Sequence, residues 1–266
     1  VKTSDQPLGN LAVAICTKNN ERTIGRCLDS VRSLVRDIVV VDSGSDDRTL
    51  EMCRAAGARV LHREWSGIVE QRRYAMNACE GAEWVLALDS DEALEPDLRR
   101  SVRRALSEPD NGIHGYEINR RLWLFGAWLS HTAQPEWRLR LVRQGAWRVC
   151  GLGPPGRERH DRIEVDGPVV RLSGVCRHDS WPGAAEILTS GTQTAIWAVK
   201  HDSRPTSTVR MLTSPLGHFL KNYLIKGGFR DGRRGLLACL GMAYGTFARH
   251  YLKNARRLEA KEDPFP

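Results

Sequence analysis

The segment Asp89-Ser90-Asp91-Glu92 contains the residue types that point most directly to chemistry. It follows the apolar run Glu83–Leu88 (EWVLAL), which predicts a buried strand. Carboxylates at such a strand end are costly unless a positive group or a divalent cation accompanies them. Asp89 and Asp91 are two positions apart, so in an extended chain they point to the same side and could hold Mg²⁺ or Mn²⁺ beside a diphosphate. Alone, the pattern also fits a turn before a helix that begins at Pro96.

The first 110 residues alternate predicted strands and helices. Apolar runs predict strands at 11–16, 37–41, 58–61 and 83–88, and helical spacing predicts helices at 22–34, 49–56, 68–79 and 97–106. This order predicts an α/β fold with a mostly parallel sheet and helices on both faces. Ligands of such sheets bind beyond the carboxyl ends of the strands. The polar clusters TKNN, DSGSDD and DSDE each follow a predicted strand, so we expect them at one edge.

Four segments of this half match a known pattern when they are taken in order. They read AICTKNNERTIGRCLDSV, VVDSGSDDRT, QRRYAM and WVLALDSDEAL. Together they resemble the family 2 glycosyltransferases, and within these the lipopolysaccharide-core type glucosyltransferases and their bacterial relatives. The resemblance extends from Leu11 to about Leu258. It implies a GT-A type, Rossmann-like, mostly parallel sheet with flanking helices and a C-terminal amphipathic helical segment.

The chain after residue 112 contains shorter predicted strands, broken by Gly and Pro. Strands are predicted at 116–121, 138–142 and 169–172, and helices at 183–200 and beyond Leu216. With the resemblance, this pattern predicts a glycosyltransferase domain over residues 1–200. Its nucleotide-sugar half covers about 10–110 and its acceptor half about 111–200. Residues 201–215 are predicted as a connector and 216–266 as a basic amphipathic helical segment.

The resemblance implies a donor site at the strand ends. Asp42 matches an acid that hydrogen-bonds the nucleotide base, and Arg72 matches a basic residue near the diphosphate. Asp89 and Asp91 match the carboxylates for ribose and for a Mn²⁺ or Mg²⁺ cofactor. The predicted substrate-binding residues are Thr17, Lys18, Asn19, Asp42, Ser43, Gly44, Gln71, Arg72, Asp89, Ser90 and His160, with Asp91 and Asp89 as metal ligands. Singly, each residue also fits an ordinary structural role, and the ordered set favours the site.

The acceptor half departs from the family pattern at two carboxylates. Glu136 stands where Asp is usual, and Asp161, after His160, stands where Glu is usual. Each substitution keeps the carboxylate and changes its reach by one methylene. Inverting transfer needs a carboxylate that takes the proton of the acceptor hydroxyl and a metal that stabilises the departing nucleoside diphosphate. Asp161 is the first candidate for this base and Glu136 the second.

Charge and composition bear on the partners. The chain has 266 residues, 41% of them hydrophobic, which is ordinary for a folded protein, and a net charge of +8. Ten Lys or Arg residues and four acids lie between Leu216 and Pro266. The uncharged run 235–248 would span about 21 Å as a helix, which is shorter than a bilayer core. We expect either contact with an anionic membrane surface or a packed helix with a solvated basic face.

Other sequence features address the compartment. The seven cysteines include no C-x-x-C, which favours a reducing compartment over zinc or disulfide frameworks. Val1–Asn10 is polar and does not resemble a secretory signal. No nucleic-acid-binding motif accompanies the basic residues, so no nucleic-acid partner is expected. The sequence therefore predicts a cytoplasmic protein that is peripheral on the inner face of the cell membrane.

The predicted function is inverting transfer of a sugar from a nucleoside-diphosphate sugar to a hydroxyl of a saccharide or lipid-linked acceptor in cell-envelope glycan biosynthesis. UDP is favoured by resemblance. A sugar nucleotidyltransferase would need a Gly-rich loop after the first strand, whereas no glycine follows that strand before Gly25. A nucleotide-sugar-binding or scaffold protein without catalysis is the remaining alternative. The substitutions Glu136 and Asp161 leave it open, while their retained carboxylates argue against it.

Overall fold

The computed structural model describes residues 6–108, 112–152, 160–202, 204 and 206–259, with the backbone alone for Leu152, His160, Arg257 and Glu259. The chain divides into two compact units, one of Val1–Arg120 with Glu136–Asp179 and the other of Arg121–Pro135 with Ser180–Pro266. In chain order the elements are β1 (Leu8–Thr17), α1 (Ile24–Val31), β2 (Val35–Asp42), α2 (Thr49–Ala55), β3 (Arg59–His62), α3 (Ile68–Asn77), β4 (Trp84–Asp89), β5 (Glu92–Leu94), α4 (Pro96–Ser107), β6 (Gly115–Leu124), β7 (Ala127–Trp128), β8 (Trp137–Arg143), β9 (Trp147–Leu152), β10 (His160–Val165), β11 (Val169–His178), α5 (Ala184–His201), α6 (Thr208–Leu220) and α7 (Gly232–Glu259).

The central sheet has the strand order β3-β2-β1-β4-β8-β6-β11-β5. Strands β3, β2, β1 and β4 are mutually parallel, and β4 pairs antiparallel with β8. The register sets Thr17 beside Asp42 and Cys16 beside Asp89, so the carboxyl ends of β1, β2 and β4 lie together. The predicted α/β fold with flanking helices is confirmed, and its parallel half contains the polar clusters.

Period-two alternation of apolar residues on these strands builds a core on each face of the sheet. On β1, the side chains of Leu11, Val13 and Ile15 join the core cluster that includes residues of α1 and α4. Ala12 and Ala14 point to the opposite face, where the cluster includes Met76 of α3. Because both faces are covered, the strands are nearly continuous apolar runs, as buried parallel strands usually are.

Three features differ from the sequence-based expectation. The antiparallel hairpin of β9 and β10 was not predicted, because its exposed side is built from charged pairs such as Arg148–Glu164. Strand β5, three residues long and paired with β11, was also missed. Helix α6 begins at Thr208, within the segment predicted as a connector, and the hydroxyl of Ser207 caps it by accepting from the Arg210 N–H.

The second unit consists mainly of α5, α6 and α7, with a π-helical segment (Lys221–Ile225) and a 3₁₀ turn (Gly228–Asp231) before α7. Its buried core includes Leu122, Leu129 and Ala238. Asp231 fixes the 130–132 loop, since its carboxylate accepts backbone N–H bonds from Ser130, His131 and Thr132 at 2.7–3.0 Å. Within the described ranges, no helix combines the length and the apolar character that a bilayer crossing requires.

Candidate active site

The turn after β2 is organised by the Asp42 carboxylate. Its Oδ2 accepts the backbone N–H groups of Gly44 and Ser45 at 2.9 and 3.0 Å, and its Oδ1 accepts the Ser45 hydroxyl at 2.5 Å. Gly44 has φ +89°, a conformation that favours glycine. Gln71 on α3 supports the same turn, because its Nε2 donates to the Ser43 hydroxyl at 2.7 Å. Asp42 therefore shapes this turn through local hydrogen bonds.

The loop after β1 is tied to that turn. Asn19 donates its backbone N–H to the Ser45 hydroxyl at 2.8 Å, and its side-chain Oδ1 accepts the Asp46 N–H at 3.0 Å. Thr17, at the end of β1, is buried, whereas Lys18 is exposed. The two loops form one hydrogen-bonded rim at the carboxyl edge of the sheet, which confirms the spatial neighbourhood that the strand order predicts.

Arg72 on α3 is the largest fully buried side chain of the protein's described part. Its Nε donates to Asp161 Oδ2 on β10 at 2.6 Å, and its Nη2 donates to Asp89 Oδ1 at the end of β4. Because an unpaired charge is very costly at this depth, the guanidinium and the two carboxylates hold one another in place. Asp89 and Asp161, which were predicted from the sequence to have different roles, thus bond to the same arginine.

Two further arginines converge on Asp89 from the antiparallel half of the sheet. Arg140 on β8 donates to Asp89 Oδ2 at 2.6 Å and to Glu92 Oε1 at 2.8 Å. Arg120 on β6 donates to Glu92 Oε1 at 3.0 Å. Burial would raise the pKa of Asp89, but Arg140 and Arg72 outweigh it and hold this pKa well below its ordinary value. Both oxygens of Asp89 are therefore bonded to guanidinium groups, which favour its ionised form.

Asp91 has a different environment from Asp89. Its carboxylate Oδ2 lies 3.5 Å from Nε2 of His178, the last residue of β11. Burial raises the pKa of Asp91, the carboxylates of Asp89 and Glu92 add to this rise, and His178 opposes it. A backbone bond of 3.0 Å from the Asp179 N–H to the Asp91 carbonyl oxygen fixes the approach of β11. Ser90, between the two aspartates, is buried.

Glu136 lies just before β8 and is clamped by arginines. Arg120 donates to its Oε1 at 2.6 Å and to its Oε2 at 3.2 Å, and Arg138 donates to Oε1 at 2.8 Å. Burial would raise the pKa of Glu136, but the bonds to Arg120 and the charge of Arg138 lower it to about 2. Such a carboxylate is a weak proton acceptor at neutral pH. The side chain of His160, a predicted substrate contact, lies outside the described residues.

The side chains that could act as metal ligands limit how a divalent cation could be held. Among the residues that the structure describes, no three His, Cys, Asp or Glu side chains form a metal-binding group. The nearest fit is the pair Asp91–His178, one carboxylate and one imidazole. Mg²⁺ prefers oxygen ligands, whereas Mn²⁺ also accepts imidazole, and sites that serve nucleotides take the remaining ligands from phosphate oxygens and water. Asp91 and His178 could therefore supply two protein ligands of such a cation.

The structure brings the predicted residues of β1, β2, α3 and β4 to one edge and links Asp161 to them. Four members of this network were given no site role from the sequence: Arg120, Arg140, Glu92 and His178. Arg140 left a signal in the alternation Arg138-Leu139-Arg140 after Glu136, which puts two arginines on one face of a strand. His178 is the last residue of β11, and its position at a strand end was a usable signal as well.

Comparison with known proteins gives matches that cover half of the chain or more. The family model described as Glycosyl transferase family 2 matches residues 12–154. Lipopolysaccharide core biosynthesis glycosyltransferase LpsC of Rhizobium meliloti is 27% identical over 267 residues, which cover 95% of this chain and 96% of LpsC. An uncharacterized glycosyltransferase of Rickettsia felis is 35% identical over 256 residues, 90% of this chain and 87% of that protein.

Solved structures give more distant matches. The mannosyltransferase PcManGT from Pyrobaculum calidifontis, in complex with GDP-Man and Mn²⁺, is 13% identical and aligns over 98% of this chain and 90% of its own, with a TM-score of 0.45. Glucosyl-3-phosphoglycerate synthase from Mycobacterium tuberculosis is 21% identical over 75% of this chain and 82% of its own, also with a TM-score of 0.45. The expected GT-A type α/β fold is confirmed, and the family-model match covers more than half of the chain. The chain belongs to glycosyl transferase family 2.

Proposed function

We propose that this glycosyltransferase moves a sugar from a nucleoside-diphosphate sugar, with UDP as the favoured nucleotide, to a hydroxyl of a saccharide or lipid-linked acceptor of the cell envelope, with inversion at the anomeric carbon. The observation that carries the proposal is the convergence of Arg72, Asp89 and Asp161 at the strand ends, beside Asp91. The similarity to LpsC, whose name places it in lipopolysaccharide core biosynthesis, supports the envelope role.

The nucleotide would lie on the rim formed by the loops after β1 and β2. Thr17, Lys18 and Asn19 would line one side of it, and the turn of Asp42, Ser43 and Gly44 the other. The Asp42 carboxylate already accepts three hydrogen bonds inside its turn, so a bond to the base would take a remaining lone pair on Oδ1. Asp42 would thus act on the base both directly and through the turn it shapes.

We assign the divalent cation, Mn²⁺ or Mg²⁺, to Asp91 and His178. The pKa of Asp91 is raised by burial and by two neighbouring carboxylates, an environment that a cation would relieve. Asp89 has both oxygens bonded to Arg72 and Arg140, so its part would be to orient these arginines and the ribose. When bound, the cation supplies charge stabilisation for the departing nucleoside diphosphate.

Asp161 remains the preferred base, and the geometry favours it over Glu136. Glu136 is clamped by two arginines, Arg120 and Arg138, and its pKa is lowered to about 2, which makes it a weak proton acceptor. Asp161 is joined to Arg72, which fixes its orientation, and it lines an open cleft from which a hydroxyl could approach. In the reaction, the hydroxyl oxygen forms the new bond to the anomeric carbon, its proton passes to Asp161, and the bond to the diphosphate oxygen breaks.

We also propose that the second unit lies on an anionic membrane surface. Helix α7 exposes Leu237, Leu240, Tyr244, Phe247 and Tyr251 in a stripe spaced by three and four residues. Elsewhere α7 packs against α5 and α6, with Ala238, Cys239 and Ala243 buried. The turn before α7 exposes Leu224, Phe229 and Ile225, the last 83% exposed. We call these exposed residues of α7 and of the preceding turn the apolar edge.

Charge favours lipid headgroups as the partner of the apolar edge. Lys221, Lys226, Arg230, Arg233 and Arg234 are exposed around the turn, and Arg249 and Arg256 are exposed on α7. The acid in this region with a described side chain, Asp231, is buried against the 130–132 loop. Each basic residue near an anionic surface contributes about 1 kcal/mol of attraction, and insertion of apolar side chains adds to it.

The metal assignment can be tested by electron paramagnetic resonance of Mn²⁺ with the protein and UDP. We expect the free Mn²⁺ signal to fall when protein and UDP are both present, and Asp91→Asn or His178→Gln to restore it. Asp97→Asn, at an exposed aspartate on α4, is the matched control and should behave as the unmodified protein. Unchanged Mn²⁺ binding in both site variants would overturn the assignment.

A further inference from the structure

An open cleft of about 1040 Å³ lies beside Asp161 in the first unit. Its walls come from β8, the β9–β10 hairpin and β11, with Trp137, Arg148, Arg162 and Arg171 among the lining residues. This volume is at the upper end of ordinary ligand pockets, so it accommodates more than one sugar ring. Asp161 and Arg140 line it as well, and both belong to the network around Asp89. The cleft therefore opens next to the carboxylate that we assign as the base.

The charged pairs of this cleft are asymmetric in their exposure. Four arginine side chains are 44–62% exposed, while the glutamates that they bind are only 24–29% exposed; the pairs are Arg138–Glu136, Arg148–Glu164, Arg162–Glu164 and Arg171–Glu117. These guanidinium groups thus reach solvent while the glutamates are shielded, although Arg148 also binds Asp166, an 84% exposed aspartate outside the cleft lining. A ligand in the cleft meets cations first, and exposed ion pairs of this kind exchange partners at little cost.

The cleft also combines an aromatic ring, a guanidinium and apolar side chains. The guanidinium of Arg171 lies 4.8 Å from the ring centroid of Trp137, and both side chains line the cleft. Val169 and Val170 add exposed apolar surface, at 42% and 44% exposure. An indole face and aliphatic carbons bind the C–H face of a pyranose, while arginine binds phosphate or carboxylate in a bidentate manner.

We propose that this cleft binds the acceptor and that the acceptor is an anionic saccharide, a sugar that carries a phosphate or a carboxylate. Arg171 and Arg148 bind the anionic group, Trp137 and the two valines contact the ring, and the reacting hydroxyl points to Asp161. The inference rests on the proposed transferase function, because it takes Asp161 as the group that receives the proton. It adds the chemical class of the acceptor and the residues that select it.

Fluorine NMR of the full chain labelled with 5-fluorotryptophan tests this proposal at the cleft itself. The Trp137 resonance is assigned by its loss in Trp137→Phe. Glucose 6-phosphate, glucuronate, glucose and inorganic phosphate are titrated separately at constant ionic strength. We expect glucose 6-phosphate or glucuronate to shift the Trp137 resonance to saturation, and the stronger of the two identifies the anionic group. Arg171→Gln should weaken this binding about tenfold, the loss of one charge-assisted contact.

The control variant is Arg32→Gln, an arginine of similar exposure, 64%, that pairs with Asp29 outside the cleft. It should leave the titration unchanged. An equal response to glucose, an equal response to inorganic phosphate alone, or no effect of Arg171→Gln would each overturn the proposal. A parallel titration with UDP and Mn²⁺ distinguishes a failure of the acceptor class from a failure of the proposed transferase function. UDP binding without any response to anionic sugars overturns the acceptor class alone, and absent UDP binding overturns the proposed function.

Discussion

Arg72 and Asp161 are joined by a hydrogen bond of 2.6 Å from Nε to Oδ2, although 89 positions separate them in the chain. Arg72 is fixed on α3, and Asp161 lies on a hairpin strand that pairs with β9 rather than with the central sheet. Because the same guanidinium also bonds Asp89, the candidate base and the carboxylates of the predicted metal motif are positioned by one side chain. Arg72 thus anchors the hairpin to the donor edge, together with the apolar packing of Val149 and Ile163 in the core.

Removal of the Arg72 side chain should therefore lower the free energy of unfolding. Arg72→Ala leaves Asp89 and Asp161 without their shared cation, and loss of one partner of a buried ion pair costs about 3–5 kcal/mol. Urea denaturation followed by circular dichroism measures the change. Arg73→Ala, at the exposed neighbouring arginine, should change the free energy of unfolding by less than about 0.5 kcal/mol. Equal stability of Arg72→Ala and the unmodified protein would show that the network contributes little.

The sequence predicts the donor edge well because each of its strands and loops can be recognised from a short stretch of sequence. Strands β1, β2 and β4 are apolar runs that end in polar clusters, and parallel strands bring such ends together. Arg72 could be named as a site residue, but its partner Asp161 could be placed only by the β9–β10 hairpin, whose alternation of charged and apolar residues was not recognised. The arginines on β6 and β8 were missed because arginine is ordinarily exposed, and burial of Arg140 depends on partners far away in sequence.

The pH dependence of stability should report on Glu136. Its pKa in the folded protein is about 2, below the ordinary 4.5, so the folded state favours the ionised form. This contribution is fully present above about pH 4.5 and is lost as the pH falls towards 2. The free energy of unfolding of the unmodified protein should then fall more steeply between pH 4.5 and 3 than that of Glu136→Gln. Urea titrations across this range measure the difference.

A matched control for that titration is Glu80→Gln, at an exposed glutamate. Its pH profile should follow that of the unmodified protein. If Glu136→Gln also follows the unmodified profile, the clamp by Arg120 and Arg138 does not act on the ionised carboxylate as described.

Asp161→Asn should separate catalysis from donor binding. Loss of a general base lowers turnover about 10²–10⁴-fold. The amide keeps the shape of the carboxylate and can still accept a bond from Arg72, so UDP affinity should stay within about threefold. Release of UDP from a UDP-sugar, with water as the acceptor, measures turnover, and calorimetry measures affinity. Retained turnover in Asp161→Asn with loss in Glu136→Gln would exchange the roles of the two carboxylates.

Binding to vesicles should depend on the apolar edge. Leu237→Ser with Phe247→Ser removes two exposed apolar side chains of α7 and should weaken cosedimentation with anionic phosphatidylglycerol vesicles at least about tenfold. Phosphatidylcholine vesicles should bind little of the protein, because they lack the anionic headgroups that attract the exposed Lys and Arg residues. Trp65→Ser, at an exposed tryptophan of the first unit, is the control and should bind normally. A dimer by sedimentation velocity without vesicle binding would instead assign this edge to a second copy of the chain.

The pairing of Asp91 with His178 shows where sequence reasoning stops. The metal motif can be read from two aspartates after a strand, but the choice between them depends on their surroundings. Three arginines from three different elements neutralise Asp89, whereas a histidine 87 positions further along the chain approaches Asp91. The approach of Arg120, Arg140 and His178 follows from the order of strands in the antiparallel half of the sheet, and short strands with charged residues predict that order poorly.

Calorimetric titration of UDP into the protein, with and without Mn²⁺ and with GDP in parallel, tests the central claim most directly. The donor site at the ends of β1, β2 and β4 predicts UDP binding that requires Mn²⁺ and is lost in Asp91→Ala. Tighter binding of GDP would retain the transferase and change its donor. Absence of binding by either nucleotide, in a protein shown to be folded by circular dichroism, would contradict the account.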